Sequence, residues 1–149
     1  MGAWQSKPFP AATMSLVASF DATPDDYEID GLTGLSLGDA LDDSSLAAAV
    51  RFNGSGLIDV LDGDSFRADT RVRYKAAATY HFDIRVDLVR HATTVIVTAP
   101  GRAPEILASG YAFPSDRRAL IRLDRWSTRS AAGGQRVCGF RVASGPADP

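Results

Sequence analysis

Four polar side chains alternate with apolar residues along the segment 80–88: His81, Asp83, Arg85 and Asp87. In a strand, residues two apart point to the same face and lie about 6.5–7 Å from one another. The four side chains would therefore form one polar row. Sugar hydroxyls hydrogen-bond to such a row, and an arginine pairs with the carboxylate of an acidic sugar. A solvated strand face with cross-strand ion pairs has the same pattern, so both interpretations stay open.

Catalysis by paired carboxylates does not fit this row. Asp83 and Asp87 would lie about 13 Å apart, beyond the ~5–9.5 Å between the two acids of glycoside hydrolases. The glutamates, Glu28 and Glu105, lie in an acidic link and directly after a proline. A retaining hydrolase is thus disfavoured. Elimination on uronic acid polymers stays open, with an arginine to neutralise the carboxylate and His81 as the base.

Two further residues suit sugar binding. Arg51 would offer a positive charge to an anionic sugar. Trp126 would offer an indole face on which a sugar ring stacks. A tryptophan in the middle of the chain is also compatible with a place in the core. The ligand would lie on the wet face of residues 80–88, or at the loop edge near residues 62–66 and Trp126. We assign no catalytic residue. The candidate ligand-binding residues are Arg51, His81, Asp83, Arg85 and Trp126.

Acidic clusters raise the question of a metal. Carboxylates gather at residues 25–30, at residues 39–43 and at Asp62 with Asp64, and calcium is the cation that such oxygen ligands suit. None matches a twelve-residue EF-hand loop, and aspartate with glycine is also typical of turns. His81 and His91 alone do not specify a zinc site. Calcium is therefore the one cofactor we consider, without an assigned site.

Strand patterns dominate the chain. Residues 80–88 and 93–98 form a predicted hairpin, and Asn53-Gly-Ser-Gly predicts a second hairpin between residues 46–52 and 57–61. Residues 128–135 are predicted to form a polar loop. The last predicted strand, residues 136–142, places Cys138 in an apolar row and so favours a buried, inert thiol. Short strands at this spacing indicate an all-β fold, an antiparallel two-sheet sandwich or jelly roll.

Length and composition exclude several classes. At 149 residues the chain suits a single domain spanning 1–149, with an ordered core at about 13–142 and flexible tails. The formal net charge of −2 argues against nucleic-acid partners and anionic membranes. No apolar run approaches the ~20 residues of a membrane span, and no signal peptide is visible. The one cysteine excludes an internal disulfide.

A family resemblance covers residues 13–142. Its most specific pieces are the Asn53-Gly-Ser-Gly turn with Ile58-Asp59, Tyr80-His81-Phe82, Thr98-Ala99-Pro100-Gly101 and Tyr111-Ala112-Phe113.

With these pieces the chain resembles bacterial concanavalin A-like, laminin-G-like β-sandwich domains, of the kind appended to secreted polysaccharide-degrading enzymes. The resemblance implies the fold, an extracellular location and glycan binding, but transfers no site residue. We expect a non-catalytic domain that binds a polysaccharide or oligosaccharide. The alternatives are a small lyase acting on uronic acid polymers, and a structural or protein-interaction subunit.

Overall fold

A computed structural model describes residues 4–40 and 42–145. Within these residues the chain forms eleven strands and two short 3-10 helices. The strands are β1 (Gln5–Ala12), β2 (Ser15–Pro24), β3 (Asp30–Ser36), β4 (Ala48–Phe52), β5 (Ile58–Asp62), β6 (Ser65–Arg67), β7 (Tyr80–Asp87), β8 (Ala92–Thr98), β9 (Glu105–Ala112), β10 (Leu123–Ala132) and β11 (Gln135–Gly145). The helices are η1 (Asp43–Ser45) and η2 (Ser115–Arg117). None of these elements is a helix long and apolar enough to cross a bilayer.

The strands form two antiparallel sheets. The order is β1-β10-β3-β4-β5-β6 in the six-stranded sheet and β11-β2-β7-β8-β9 in the five-stranded sheet. Both predicted hairpins are present: β4 pairs with β5 across the turn at Asn53, and β7 pairs with β8. The all-β, two-sheet prediction is therefore confirmed.

The main core lies between the two sheets. Tyr80, Phe82, Ile84 and Val86 of β7 are all 2% exposed or less, as the alternation predicted. The Phe82 ring stacks on Phe20 of β2, with the centroids 5.3 Å apart. Burial of this inward row fixes the register of β7, because a shift of one residue would turn every side chain to the other face. The polar row therefore points outward.

A smaller apolar cluster lies on the outer face of the six-stranded sheet. It contains Leu32, Ala40, Leu46, Ala49 and Leu61, with Trp4 and Phe66 packed against it. Since Ala40 and Leu46 belong to the segment between β3 and β4, that segment covers part of this face.

The strand β10 corrects one prediction. Residues 128–135 were expected to form a loop, but β10 continues to Ala132. Thr128 and Arg129 are 8% and 9% exposed. The Arg129 guanidinium donates two hydrogen bonds to Asp43, of 2.9 and 2.7 Å. Polar residues are accommodated in this buried strand because each has a specific partner.

The sandwich extends past the predicted core at both ends. β1 pairs with β10 from Gln5 onward, and β11 continues to Gly145. β1 carries Pro8 and Pro10, which suits a strand at the edge of a sheet. Residues 1–3 and 146–149 of the predicted tails lie outside the described residues.

Cys138 is a second correction. It is exposed, whereas Phe140 and Val142 pack against the core. The register of β11 against β2 shifts between Cys138 and Arg141, with Gly139 at a φ of 67°. This β-bulge inserts one extra residue, so Cys138 and Phe140 point to opposite faces.

Candidate functional site

A groove of about 500 Å³ crosses the outer face of the five-stranded sheet. All five strands contribute to its lining. The side chains that give it its chemistry are Ser15, Val17, Arg85, Asp87, Thr94 and Ser109. Its volume lies within the ~300–1,000 Å³ typical of small-molecule sites.

Arg85 lies in the middle of the groove. On the outer face it is paired with Val17 of β2 on one side and with Thr94 of β8 on the other. Its side chain is exposed, and among the described residues its guanidinium has no hydrogen bond and no ion pair. The position of Arg85 in the polar row was predicted, and its charge is available to a ligand.

A β-bulge shapes the β9 side of the groove. Thr93 pairs with Tyr111 and Val95 with Ala108, so two residues, Ser109 and Gly110, lie opposite Thr94 alone. Gly110 has a φ of 65°, which favours glycine. Its N–H donates to the Thr94 hydroxyl at 3.1 Å. The bulge thus fixes the Thr94 side chain beside Arg85.

The turn after β7 forms one rim. The Asp87 carboxylate accepts hydrogen bonds of 3.0 Å from the backbone N–H groups of Val89 and Arg90. The Arg90 guanidinium lies 3.9 Å from the same carboxylate and is 84% exposed. Asp87 is therefore held by the turn, while Arg90 adds a second cation at the rim.

His81 and Asp83 lie on the same face, outside the groove lining. The His81 Nδ1 atom is 2.8 Å from the Asp21 carboxylate, and its Nε2 atom is 3.4 Å from Asp83. Ser19 donates a 2.6 Å hydrogen bond to Asp83. These contacts join four side chains in a row, and both ring nitrogens of His81 face a carboxylate within it.

His91 does not join His81. Its Nε2 atom lies 2.8 Å from the carbonyl oxygen of Leu120, and its ring packs edge-on against Phe113. The two histidines therefore have separate partners.

Arg51 lies on the other sheet. Its guanidinium donates hydrogen bonds of 2.9 and 2.8 Å to Asp59 and stacks 4.0 Å above the Phe66 ring. Asn53 donates a further hydrogen bond to Asp59, of 3.0 Å. The structure thus separates Arg51 from the other predicted residues and neutralises its charge.

Trp126 is in the core. It is 5% exposed, and its ring packs 4.7 Å from that of Phe140. The indole face is therefore not exposed for stacking with a sugar ring, in contrast to the role predicted for Trp126. Of the five predicted residues, Arg85 alone lines the groove.

The tyrosines that a lyase would use as bases are buried. Burial raises the pKa of Tyr74 and Tyr80 above the ordinary value. Burial also raises the pKa of Tyr111 to about 12, helped by the hydrogen bond of 2.9 Å that its hydroxyl donates to Asp69. These phenols stabilise the sandwich and do not face the groove.

Carboxylates of the predicted acidic clusters accept hydrogen bonds from backbone N–H groups. In residues 4–40 and 42–145 no three His, Cys, Asp or Glu side chains are grouped so as to hold a metal. The carboxylates bind backbone instead: Asp25 accepts from the Gly134 N–H at 2.8 Å, and Asp62 from the Ala112 N–H at 2.9 Å. These aspartates therefore stabilise turns and loops.

Most of the groove was not predicted. Ser15, Val17 and Thr94 lie in strands whose alternation was visible, but which strands are neighbours depends on the sheet order. Ser109 and Gly110 enter the groove through a bulge, which breaks the alternation. The signal that could have pointed to them is the Ser-Gly pair inside an apolar strand, since such a glycine often marks a bulge.

Comparison with solved structures gives several similar folds. A sialidase has a TM-score of 0.64 at 14% identity over 96% of this chain and 14% of the sialidase. Lectin II from Ulex europaeus has a TM-score of 0.63 at 11% identity, covering 95% of this chain and 82% of the lectin. The catalytic domain of a glycoside hydrolase family 131 protein from Coprinopsis cinerea has a TM-score of 0.60 at 10% identity, covering 91% of this chain and 58% of the hydrolase.

No protein-family model and no curated protein sequence matches the chain. The chain spans about one seventh of the sialidase and somewhat more than half of the hydrolase structure. At such low identities the similarity is one of fold. The expectation from the family resemblance is confirmed at that level: the chain has a concanavalin A-like jelly-roll fold.

Proposed function

We propose that this chain binds an oligosaccharide or polysaccharide in the groove of the five-stranded sheet, without cleaving it. The observation that carries the proposal is Arg85, an exposed and unpaired cation among the described residues, in the middle of a groove that crosses five strands. The fold is shared with lectin II of Ulex europaeus, whose structure has been solved with galactose, and with congerin II, solved with lactose.

The chemistry of the lining suits a sugar. The Arg85 guanidinium offers several N–H donors in a rigid plane, which match a carboxylate or two neighbouring hydroxyls. Val17, Ala92 and Ala143 supply apolar surface for the C–H faces of a sugar ring. The groove is open along the sheet face and thus admits a chain as well as a single ring. We expect acidic sugars to bind more tightly than neutral ones.

The lining favours binding over hydrolysis. Asp87 is the one carboxylate among the lining residues, whereas glycoside hydrolases use two about 5–9.5 Å apart. Elimination requires a base such as histidine, tyrosine or lysine, and none lines the groove. Because the fold is similar to that of a sialidase and of a family 131 hydrolase, the test includes an assay for cleavage of the glycan.

The experiment is a screen of the purified chain on an array of acidic and neutral glycans. Any glycan that binds is then incubated with the chain, and reducing ends and the ultraviolet absorbance of unsaturated ends are followed. The proposal predicts binding without either product. New reducing ends without new absorbance would show a hydrolase. New reducing ends together with new absorbance would show a lyase, because elimination creates a reducing end and an unsaturated end at once. A blank array together with a stable oligomer on size-exclusion chromatography would favour the structural subunit instead.

A further inference from the structure

A second cavity, of about 190 Å³, lies at the end of the sandwich, apart from the groove. Three arginines line it, Arg71, Arg73 and Arg102, together with one carboxylate, Glu105. The apolar part of its lining is Val72, Val97 and Ala99. This density of guanidinium groups is not explained by composition, because the whole chain is slightly acidic.

The segment that carries Arg71 and Arg73 is held by both sheets. The Asp69 N–H donates to the Leu107 carbonyl in the five-stranded sheet at 2.8 Å. On the other side, the Ile58 N–H donates to the Val72 carbonyl at 2.9 Å. The backbone under the cavity is therefore fixed, although the arginine side chains are exposed.

This pairing also sets the direction of the side chains. Arg73 forms an antiparallel bridge with Leu57, so the segment is locally extended. In an extended segment, residues two apart point to the same side. Arg71 and Arg73 accordingly project together, while Val72 packs against the core.

The cations exceed the carboxylates. Arg102 and Glu105 form an exposed ion pair of 3.4 Å. In the described part of the chain, Arg71 and Arg73 have neither an ion pair nor a hydrogen bond. Three arginines thus line this small cavity with a single carboxylate, and that carboxylate is paired with Arg102.

We propose that this cavity binds one oxyanion group: a sulfate, a phosphate or a carboxylate. Arginine presents N–H donors in a fork that matches two oxygens of such a group. The volume suits a single group more than a sugar chain, since it is below the ~300 Å³ of ordinary ligand sites. The source is a free anion or an anionic substituent on a larger molecule. The site does not depend on the groove, so either proposal can fail alone.

The test is an NMR titration of the arginine Nε–Hε resonances with sodium sulfate, at constant ionic strength set by sodium chloride. We expect saturable shifts of the Arg71 and Arg73 resonances that fit a single site. In R71Q/R73Q, the affinity for sulfate falls at least tenfold. The matched control R122Q/R136Q, which removes the same charge from exposed arginines elsewhere, retains the affinity.

Equal losses of affinity in the two double variants would overturn the proposal. They would show that the affinity for sulfate follows the net charge of the protein and not the two arginines of the cavity. Non-saturating shifts over all arginines would do the same. If R71Q/R73Q does not fold, R71Q alone is titrated and the Arg73 resonance is followed, with the same criterion.

A second arm distinguishes the sources. A sulfated disaccharide and its unsulfated parent are titrated separately. Binding of the sulfated sugar more tightly than sulfate, with no shift of the Arg71 and Arg73 resonances on addition of the parent, assigns the site to a substituent on a glycan. Equal affinity for the sulfated sugar and sulfate assigns it to a free anion. No saturable binding of sulfate or of the sulfated sugar would contradict the site.

Discussion

The arginines of this chain differ in whether their charge is balanced by a neighbouring carboxylate. Arg51 and Arg129 are each bound through two hydrogen bonds to one aspartate. Arg85 lies in a groove and is unpaired among the described residues. Residue type alone does not separate these cases, because the difference depends on which carboxylate the neighbouring strand supplies.

Replacing Arg85 by glutamine is therefore expected to weaken binding of an acidic oligosaccharide by about tenfold or more. The reason is the loss of hydrogen bonds to a charged group, which contribute ~1.5–3 kcal/mol. The measurement is isothermal titration calorimetry. Arg136→Gln removes the same charge from the exposed part of β11 and is expected to leave the affinity unchanged. Equal losses in both variants would contradict a specific role for Arg85.

The exposed Cys138 gives a second prediction at this scale. Its thiol is on the solvent side of the β11 bulge. We expect one thiol per chain to react with an aromatic disulfide reagent under native conditions, and none in Cys138→Ser. Reaction only after unfolding would mean that the thiol is buried, as the simple alternation predicted.

Tyr111 connects stability with alkaline pH. Because burial raises its pKa to about 12, the folded state retains the phenol proton at a pH where the unfolded chain releases it. Its contribution to stability is complete below about pH 10 and decreases between about pH 10 and 12, by up to ~1.4 kcal/mol per pH unit. Tyr111→Phe should flatten this decrease in urea unfolding, whereas Tyr27→Phe, which removes an exposed phenol, should not. An unchanged slope in Tyr111→Phe would contradict this account.

At the scale of elements, two β-bulges determine what the outer face presents. The bulge in β9 brings Ser109 and Gly110 into the groove, and the bulge in β11 turns Cys138 outward. Each bulge contains a glycine with a positive φ, Gly110 in β9 and Gly139 in β11. A glycine in an apolar strand indicates such a bulge, but it does not predict on which face of the sheet the next residue lies.

Gly110→Ala tests the β9 bulge. No atom lies within 4 Å of an added Cβ, so the substitution affects the backbone alone. At a φ of 65° we expect a loss of about 1–2 kcal/mol in the free energy of unfolding. Gly54→Ala, also in open space but without a positive φ, is the control and should change stability little. Equal effects in chemical denaturation would contradict the assigned bulge geometry.

Some strands could be predicted from the pattern of apolar and polar residues, and one could not. β7 and β8 were predicted because one face is apolar and the other polar, with burial following that alternation. β10 was missed because Thr128 and Arg129 are polar and yet buried. Their burial depends on hydrogen-bond partners in β3 and η1, which are distant in the sequence. Pairing between distant segments, and not local propensity, therefore limits the prediction.

At the scale of the whole molecule, the two sheets separate residues that the sequence grouped together. Arg51 lies on the outer face of the six-stranded sheet, whereas His81, Asp83 and Arg85 lie on the outer face of the five-stranded sheet. Trp126 lies in the core between them. The fold could be predicted from the sequence, as could the outward row that brings Arg85 and Asp87 to the groove. Assigning residues to opposite faces required the sheet order.

Trp126 tests this arrangement. As a core residue, Trp126→Ala should lower the free energy of unfolding by ~3–5 kcal/mol. Trp126→Phe should cost less, partly because the buried indole N–H has no partner among the described residues. Chemical denaturation measures both. Glycan binding by folded Trp126→Phe should equal that of the parent; a loss of binding at unchanged stability would restore the stacking role.

Binding of a glycan across the five-stranded sheet at Arg85 can be observed residue by residue. The most direct measurement is a ¹H–¹⁵N NMR titration of the intact chain with a short uronic acid oligomer, followed at backbone amides and arginine Nε–Hε groups. We expect saturable shifts at Arg85, Thr94 and Gly110. Saturable shifts centred instead on Arg51 and Phe66, on the opposite face, would contradict it, as would the absence of any shift.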